Sequence, residues 1–423
     1  MLDLKSMSKD ELLIKHDEYL KEYNNYKEMG LKLDMSRGKP GAKQLDLSNG
    51  ILEGVKDFHA LNNIDVRNYG ILDGLLEAKS IFSELLEVPV ENIIIGGNSA
   101  LNLIYDTFAR LFLFGTLGST PWCKLPKIKM LCPVPGYDRH FSICEEFGVE
   151  MISVPSDENG PDMDMVEKLV AEDETIKGIM CVPMYSNPSG AIYSDEVIER
   201  LAKMKVAAND FRIFYDNAYA IHHIYKENRI ANIFEIAKKY GNEDRIYMYF
   251  STSKVAFPGS GVSMIAASDR NIQEIKKRMA IKTIGYNKLN QLSFVKFFKN
   301  AENVKNHMRK HASILKPKFD MVLEILEREF ADNKMCSWSK PEGGYFITLN
   351  TLEGCAKETV KLAKEAGVVV TNAGATHPYQ NNPDDNCIRL APSYPYMEEL
   401  KIAMEVIVSC VKLATVKKIL EEK

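Results

Sequence analysis

The sequence predicts an α/β fold, with a large domain that carries a mostly parallel sheet between helices and a smaller α+β domain built from both chain ends. Two observations predict it. Between residues 91 and 253, apolar runs of strand length alternate with helical patterns, as they do around parallel sheets. Beyond residue 330, only short strands separated by helices remain. We therefore predict an N-terminal helix and arm at 1–50 that belong to the small domain, a large domain at 51–300, and a long connecting helix with the rest of the small domain at 301–423.

The individual elements follow from capping residues and apolar periodicity. Ser8 and Glu11 form a capping box, and apolar residues at helical spacing extend a helix over 8–30. A turn-rich arm follows. Apolar runs predict strands at 91–97, 127–136, 176–184, 211–219, 245–253, 343–350, 367–374 and 387–393. Helices are predicted at 99–115, 271–285 and 288–330, and the charged stretch at 305–311 is interpreted as a solvated helix face.

The composition excludes several classes of protein. Hydrophobic residues make up 45% and charged residues 26% of the 423 positions, as in ordinary globular proteins, and the net charge of -4 argues against a basic nucleic-acid footprint. No apolar run approaches the roughly 20 residues that span a bilayer, and the charged N-terminus predicts no secretory signal. The eight cysteines form no C-x-x-C pair. We predict a cytoplasmic protein without a nucleic-acid partner, a membrane partner or a metal.

Residues that can carry chemistry follow the predicted strands, at the sheet edge where open α/β sheets bind ligands. Gly97, Asn98 and Ser99 open a helix, whose N-terminus would favour an anion; a tight turn is the structural alternative. Tyr137 would stack on a flat ring or be an ordinary surface or core tyrosine. Asn187 lies in a turn that has no specific meaning by itself.

Two charged residues stand at the ends of apolar strands. Asp216 needs a partner when it is buried, and a protonated ring nitrogen would supply one, although a helix cap is an equally simple interpretation. Lys254 ends the run Ser251-Thr252-Ser253-Lys254. Burial and neighbouring hydroxyls would make this lysine a Schiff-base nucleophile, whereas a solvated surface lysine is the alternative.

The order of these residues resembles a known family. Asn187, then Asp216 with Tyr219 three residues later, then Ser-x-Ser-Lys254, then a C-terminal Arg389 resembles the fold-type-I, pyridoxal-phosphate-dependent class I/II aminotransferases of the aspartate aminotransferase superfamily. The resemblance covers about residues 30–415. The segments SRGKP, LDLSNG and SKVAFPGSGV resemble its MocR-type aminotransferase-like branch, and we expect the enzyme part alone, without a winged-helix extension. The resemblance implies a seven-stranded sheet in the large domain and a ping-pong transaminase that is a homodimer with shared active sites.

The same resemblance implies roles around the cofactor, pyridoxal 5'-phosphate. Lys254, Asp216 and Tyr219 would be the catalytic residues. Lys254 would hold the cofactor and carry the substrate proton, and Asp216 would pair with the ring nitrogen. Tyr219 and Asn187 would hydrogen-bond the ring 3'-oxygen, and Tyr137 would stack on the ring.

The phosphate and the substrate would be bound at the two ends of the cofactor. The residues implied for the phosphate are Gly97, Asn98, Ser99, Ser251, Ser253 and, from the neighbouring subunit, Tyr69. Those implied for the substrate carboxylate are Arg389, Asn187 and the backbone of Gly38. Arg139 and His140 would line the entrance or face solvent.

One position departs from the family pattern. Many relatives have an arginine eight residues after the lysine, where this chain has Val262. Lys288, with Asn290, is our candidate to replace that phosphate-binding cation, and a solvated helix lysine is the alternative.

The substrate and even the reaction type stay open at this point. Aspartate with 2-oxoglutarate is the leading expectation, with Arg37, Lys39, Lys288 and Arg139 as candidates for the second carboxylate. Alanine or an aromatic amino acid remains an alternative. A pyridoxal-phosphate-dependent C–S β-lyase on the same fold and a non-catalytic binding protein also remain.

Overall fold

The computed structural model describes residues 4–423 and contains helices and strands throughout. The helices are α1 (Lys9–Glu28), α2 (Ala42–Asp46), α3 (Leu76–Leu86), α4 (Ala100–Phe114), α5 (Asp138–Glu146), α6 (Met163–Glu172), α7 (Asp195–Lys203), α8 (Ile233–Lys239), α9 (Asp269–Lys282), α10 (Lys288–Phe298), α11 (Ala301–Phe330), α12 (Ala356–Glu365) and α13 (Met397–Glu422). The strands are β1 (Leu33–Asp34), β2 (His59–Ala60), β3 (Ile64–Asp65), β4 (Ile93–Gly96), β5 (Lys129–Val134), β6 (Glu150–Asp157), β7 (Gly160–Pro161), β8 (Ile176–Cys181), β9 (Arg212–Asp216), β10 (Ile246–Ser251), β11 (Ser263–Ala267), β12 (Cys336–Trp338), β13 (Ile347–Thr351), β14 (Val368–Val369) and β15 (Cys387–Leu390).

The central sheet has the strand order β4-β11-β10-β9-β8-β5-β6-β7. The pairs from β10 through β9, β8 and β5 to β6 are parallel, and β11 runs antiparallel to both of its neighbours. The eighth strand, β7, is a two-residue strand that pairs antiparallel with β6. The predicted α/β fold and its mostly parallel sheet are therefore confirmed, and the carboxyl ends of four central strands meet at one edge.

Both faces of this sheet are covered by apolar side chains. Along β9, Ile213 and Tyr215 belong to one core cluster and Phe214 belongs to another. Along β10, Met248 and Phe250 alternate in the same way with the two tyrosines beside them. Strands buried on both faces read as continuous apolar runs, because no face is left for polar residues. This is why the central strands were recognisable in the sequence.

A third core cluster combines the two ends of the chain. Helix α1 packs against α13, and β1 pairs in parallel with β14. The predicted capping box starts α1: the backbone amide of Ser8 donates to Glu11 at 2.7 Å, and the amide of Glu11 donates to the Ser8 hydroxyl at 3.3 Å. This core also contains the buried faces of α11 and the sheet β12-β13-β15. The arm between α1 and α3 is thereby held close to the C-terminal strands.

Several elements differ from the sequence predictions. The helix expected over 288–330 is two helices, because Lys299 has a φ of 66° and Asn300 caps α11 by accepting from the amide of Asn303. Only two residues of the expected strand at 367–374 pair, in β14. Strands β6 and β11 were not predicted. Within the described residues, no helix is long and apolar enough to cross a membrane.

Candidate active site

A cavity of about 460 Å³ lies at the carboxyl ends of the central strands. It collects side chains from segments that are far apart in the sequence. Ten of the predicted site residues line it: Gly38, Ser99, Tyr137, Asn187, Asp216, Tyr219, Ser251, Ser253, Lys254 and Arg389. The parallel strands explain this convergence, because their carboxyl ends point to the same edge of the sheet.

Asp216 is the last residue of β9 and is only 5% exposed. Its Oδ2 lies 3.0 Å from Nε2 of His140, which is also buried. Its Oδ1 has no hydrogen-bond partner among residues 4–423. Leaving a buried acceptor unpaired is costly, about 1–3 kcal/mol or more for a charged group. This oxygen therefore suits a ligand that brings an N–H donor into the cavity.

Lys254 lies in the 3-10 turn that follows β10. Its Nζ is 4.9 Å from the centre of the Tyr219 ring. Burial lowers the pKa of this amine and the charge of Arg389 lowers it further, while Asp216 opposes the shift. A lysine with a lowered pKa is more often neutral, so it can act as a nucleophile or take up a proton.

Two tyrosines keep their protons in this cavity. Tyr137 precedes α5 and meets the His140 ring edge-on at 5.0 Å, and burial raises the pKa of Tyr137 to about 12. Burial also raises the pKa of Tyr219 well above its ordinary value. Both phenols can therefore donate hydrogen bonds near neutral pH, and their rings form flat apolar walls.

Hydroxyls and a helix N-terminus line one end of the cavity. Ser251 donates to the hydroxyl of Ser253 at 2.9 Å. Ser99 precedes α4, and its side chain makes no capping hydrogen bond. Gly97 and Asn98 form the turn before it, and Ser253 reaches the carbonyl of Asn98 at 3.5 Å. Hydroxyls combined with the positive end of a helix dipole suit a phosphate.

Val262 cannot supply a cation here. Its side chain is 2% exposed and belongs to the core on one face of the sheet, while its backbone amide donates to Thr252 Oγ1 at 2.9 Å. Lys288 does not line the cavity; its Nζ donates to the carbonyl of Gly70 at 2.9 Å. The backbone amide of Asn290 donates to the cap of α10. Tyr69 is 82% exposed and lies outside the cavity of its own chain.

Arg389 in β15 forms the opposite end. Its Nη1 donates to Asp138 at 2.9 Å and to Asn187 at 3.2 Å, and its Nε and Nη2 donate to Thr371 at 3.3 and 3.0 Å. The guanidinium also lies 4.9 Å from the centre of the Phe346 ring. An incoming carboxylate has to compete with Asp138 for this arginine, which is otherwise held in a fixed orientation.

Gly38 closes the cavity beside Arg389. A Cβ atom at this position would lie 2.1 Å from Cζ of Phe346, far inside van der Waals contact. Only glycine therefore allows the arm to approach the Phe346 ring. Of the four candidates for a second carboxylate site, Arg37 and Arg139 line the cavity. Lys39 instead stacks over the Tyr394 ring at 4.0 Å.

The sequence did not identify Asp138 and Phe346, which each contact a predicted site residue yet have no motif of their own. The expectation that His140 lines the entrance or faces solvent is wrong, because His140 is buried behind the cavity and contacts Asp216. His140 does carry a weak signal, because it follows Tyr137 by three positions at the start of a helix. The contacts of the other two depend on chain segments more than 40 residues away.

A buried group of histidines lies beneath the Lys254 turn. His307 Nε2 lies 3.0 Å from the carbonyl oxygen of Val255 and 3.1 Å from His311 Nε2. His311 Nδ1 lies 2.9 Å from the Gln44 amide nitrogen. The interpretation of 305–311 as a solvated face is therefore wrong for both histidines, which lie on the buried side of α11.

Protonation of this group should destabilise the fold in acid. Burial lowers the pKa of His311 to about 3 and also lowers that of His307, so both favour the neutral form. Their stabilising contribution is present above the unfolded pKa of about 6.5 and is lost as the pH falls towards the folded pKa. For His311 we expect the free energy of unfolding to fall by about 1 kcal/mol between pH 7.5 and 5.5, and His307 should contribute in the same direction. In thermal melts between pH 7.5 and 5.5, the Tm of His311→Gln should depend less on pH than the Tm of the wild type. An equal pH dependence of the two Tm values would contradict this.

Among residues 4–423, no group of three or more His, Cys, Asp or Glu side chains is arranged to hold a metal ion.

Known proteins similar to this chain include aminotransferases. The sequence model of a family described as aspartate amino-transferase matches residues 7–423. A putative aminotransferase of Mycolicibacterium smegmatis is 44% identical, with 100% of both chains covered. An aspartate aminotransferase of Corynebacterium glutamicum is also 44% identical, over 94% of this chain and 93% of that protein. The crystal structure of an aspartate transaminase from Corynebacterium glutamicum superposes with a TM-score of 0.96, at 42% identity and 99% coverage of both chains.

Proposed function

Because this chain belongs to the aspartate aminotransferase family and is an aminotransferase, we propose that it exchanges an amino group between L-aspartate and 2-oxoglutarate by a ping-pong mechanism, with pyridoxal 5'-phosphate held at Lys254. The single observation that carries the cofactor site is the unpaired, buried Oδ1 of Asp216 in the same cavity as Lys254. A protonated pyridine nitrogen is a donor of the kind that this oxygen lacks. Enzymes of this family are pyridoxal-phosphate dependent.

Different residues around Lys254 would hold the phosphate, the ring and the 3'-oxygen of the cofactor. The unbonded hydroxyl of Ser99, the Ser251–Ser253 pair and the N-terminus of α4 would bind the phosphate, with Gly97 and Asn98 forming the turn. Tyr137 would stack on the ring, and Tyr219 and Asn187 would hydrogen-bond its 3'-oxygen. When bound, pyridoxal phosphate supplies an electron sink for the negative charge that develops at the substrate Cα. Lys254 would take the Cα proton and return it, because its amine is buried and its pKa is lowered.

Different arginines would bind the two carboxylates of the substrate. Arg389 would bind the α-carboxylate, with Asn187 and the backbone of Gly38 beside it, after the carboxylate displaces Asp138. Arg37 and Arg139 would bind the second carboxylate of aspartate. Arg139 makes no ion pair within 4.0 Å in the described chain, and Arg37 has only a long one, 3.7 Å from Nε to Asp34. Such side chains can reorient towards a dicarboxylate at low cost.

The proposed function is tested by a substrate panel. The visible absorption of the holoenzyme should change when aspartate or glutamate is added alone. In an assay with both substrates, the enzyme should transfer the amino group of aspartate to 2-oxoglutarate. Release of pyruvate and ammonia from cystathionine, without amino transfer, would favour the C–S β-lyase instead. Protein that gains no visible absorption with added cofactor would contradict the cofactor assignment.

The charge of Arg139 should determine the preference for dicarboxylates. In Arg139→Gln we expect kcat/KM for aspartate to fall by about 10- to 100-fold, the equivalent of a charged hydrogen bond worth about 1.5–3 kcal/mol. The value for alanine should stay unchanged, because alanine has no second carboxylate. Arg37→Gln is the companion variant, and Lys39→Gln is the matched control outside the cavity. Unchanged aspartate kinetics in both arginine variants would refute this site.

We also propose a homodimer with shared sites. Tyr69, Ile281 and Ile284 are exposed apolar or aromatic side chains, with Ile281 at 89%. The segments that carry Tyr69 and Ile284 meet, because a Cβ atom at Gly285 would lie 2.6 Å from the carbonyl oxygen of Gly70. An exposed apolar surface of this kind is typical of interfaces. Light scattering should give twice the chain mass, and Ile281→Glu should weaken the dimer while Ile14→Glu, on α1, should not.

The proposed compartment is the cytoplasm. All eight cysteines are free thiols, and six of them are buried. Proteins of oxidising compartments usually pair their cysteines, so this usage supports a reducing environment. Fractionation of the native cells, followed by detection of the chain, would test the assignment.

A further inference from the structure

A second polar cavity, of about 360 Å³, lies at the opposite edge of the central sheet. Arg212 begins β9 on this side, and Asp216 ends the same strand in the candidate active site. Three residues of extended strand lie between them, so the two are roughly 13 Å apart. The cavities have no lining residue in common. The second cavity is therefore a separate place in the molecule, and no role has yet been assigned to it.

Arg212 is a buried charge without a counter-ion. The residue is 2% exposed, and no carboxylate of residues 4–423 lies within 4.0 Å of its guanidinium. Its Nη1 donates to the carbonyl of Phe211 at 2.8 Å, and its Nη2 donates to the hydroxyl of Thr116 at 3.0 Å. Its Nε has no partner in the described chain. Buried charges are normally paired, because an uncompensated one is strongly destabilising.

The other charges of this cavity do not neutralise Arg212. Arg245 donates to the carbonyl of Met204 at 2.7 Å and makes no ion pair in the described chain. Burial lowers the pKa of Arg245, and the nearby charge of Arg212 lowers it further. Arg270 pairs with Asp244, the one acidic residue of the lining, at 2.5 Å. Three arginines against one aspartate leave a net charge of about two positive units.

Tyr247 does not serve as the missing anion. Its hydroxyl donates to Asn271 at 3.0 Å, which requires the proton to be present. Burial by itself would raise the pKa of Tyr247, yet the charges of Arg212 and Arg110 outweigh burial and lower it. The lowered pKa reflects the positive potential around Arg212, which remains without a fixed negative partner.

We propose that this cavity, the arginine cavity lined by Arg212, Arg245 and Arg270, binds a phosphate group. A phosphate dianion matches two uncompensated positive charges, and guanidinium groups bind its oxygens bidentately. The remaining lining includes four polar residues, Thr116, Ser119, Asn209 and Asn242, of which Thr116 accepts from Arg212. The ligand is inorganic phosphate or the phosphate of a small monoester.

Calorimetric titration of the holoenzyme tests the proposal, because bound cofactor already occupies the phosphate end of the active site. Inorganic phosphate, and in a second arm glycerol 3-phosphate, is titrated against chloride at equal ionic strength. We expect saturable binding in the wild type and in the control Arg328→Gln, on the exposed side of α11. Arg245→Gln should raise Kd by at least about tenfold, the loss of one charged contact. Tighter binding of the monoester would identify it as the ligand class, and tighter binding of phosphate would identify the free anion.

A second variant keeps the test valid if Arg245→Gln does not fold. Arg270 is largely exposed, so Arg270→Gln should fold normally while it leaves the charge of Asp244 free to repel the anion. Its Kd should rise as well. No saturable binding in the wild type, or undiminished binding in the folded arginine variants, would overturn the proposal.

Discussion

Replacing Lys254 with alanine should lower kcat for amino transfer by about 10⁴-fold or more. General acid–base catalysis by a positioned group contributes about 10²–10⁴-fold, and this lysine is also the proposed attachment point of the cofactor. The amine is buried, its pKa is lowered, and no second lysine lines the cavity within residues 4–423. No other residue in the cavity can therefore take over both tasks.

The Lys254→Ala result needs controls that separate chemistry from folding. Lys39→Ala removes a lysine outside the cavity and should keep wild-type kinetics. Small primary amines added to Lys254→Ala should restore part of the proton transfer, with an efficiency that rises with amine basicity. A merely structural lysine would show no such rescue. Wild-type turnover in Lys254→Ala would refute the assignment of this residue.

The sequence predicted the fold and the centre of the site for the same physical reason. Strands buried on both faces have to be apolar, so a charged residue at a strand end, such as Asp216 or Lys254, stands out. The carboxyl ends of parallel strands share one edge, so residues 187, 216 and 254 could be predicted to meet without any coordinates. The breaks in helical periodicity were harder to predict, because the end of α10 depends on a single positive φ at Lys299.

The remaining parts of the site depend on contacts that no local pattern encodes. Phe346 explains why position 38 is glycine, but the two are more than 300 residues apart. Asp138 reaches Arg389 from the first turn of α5, where an acidic residue usually indicates only a favourable helix start. Tyr69 lies on the outer surface of its own chain and, in the proposed dimer, would face the active site of the second chain, a contact that no pattern within one chain encodes.

Changing Asp216 to asparagine should lower kcat by about 10²–10³-fold, the range observed when one electrostatic stabiliser is removed. Asparagine has the shape of aspartate and can still hydrogen-bond His140, but it carries no charge to hold a proton on the ring nitrogen of the cofactor. The variant should therefore melt within a few degrees of the wild type, because a change of about 1 kcal/mol in the free energy of unfolding shifts Tm by only about 2–4 °C in large domains.

The comparison between Asp216→Asn and His140→Asn separates the charge from the hydrogen bond that orients it. His140 contacts Asp216 Oδ2 and does not line the cavity, so we expect His140→Asn to lower kcat much less than Asp216→Asn, with a weaker affinity for the cofactor as its main effect. Asp320→Asn, whose carboxylate pairs with Lys316 on α11, is the matched control for the loss of one aspartate charge. If Asp216→Asn kept wild-type kcat and cofactor affinity, the unpaired Oδ1 would have no ligand to bind, and the cofactor would have to be placed elsewhere in the cavity.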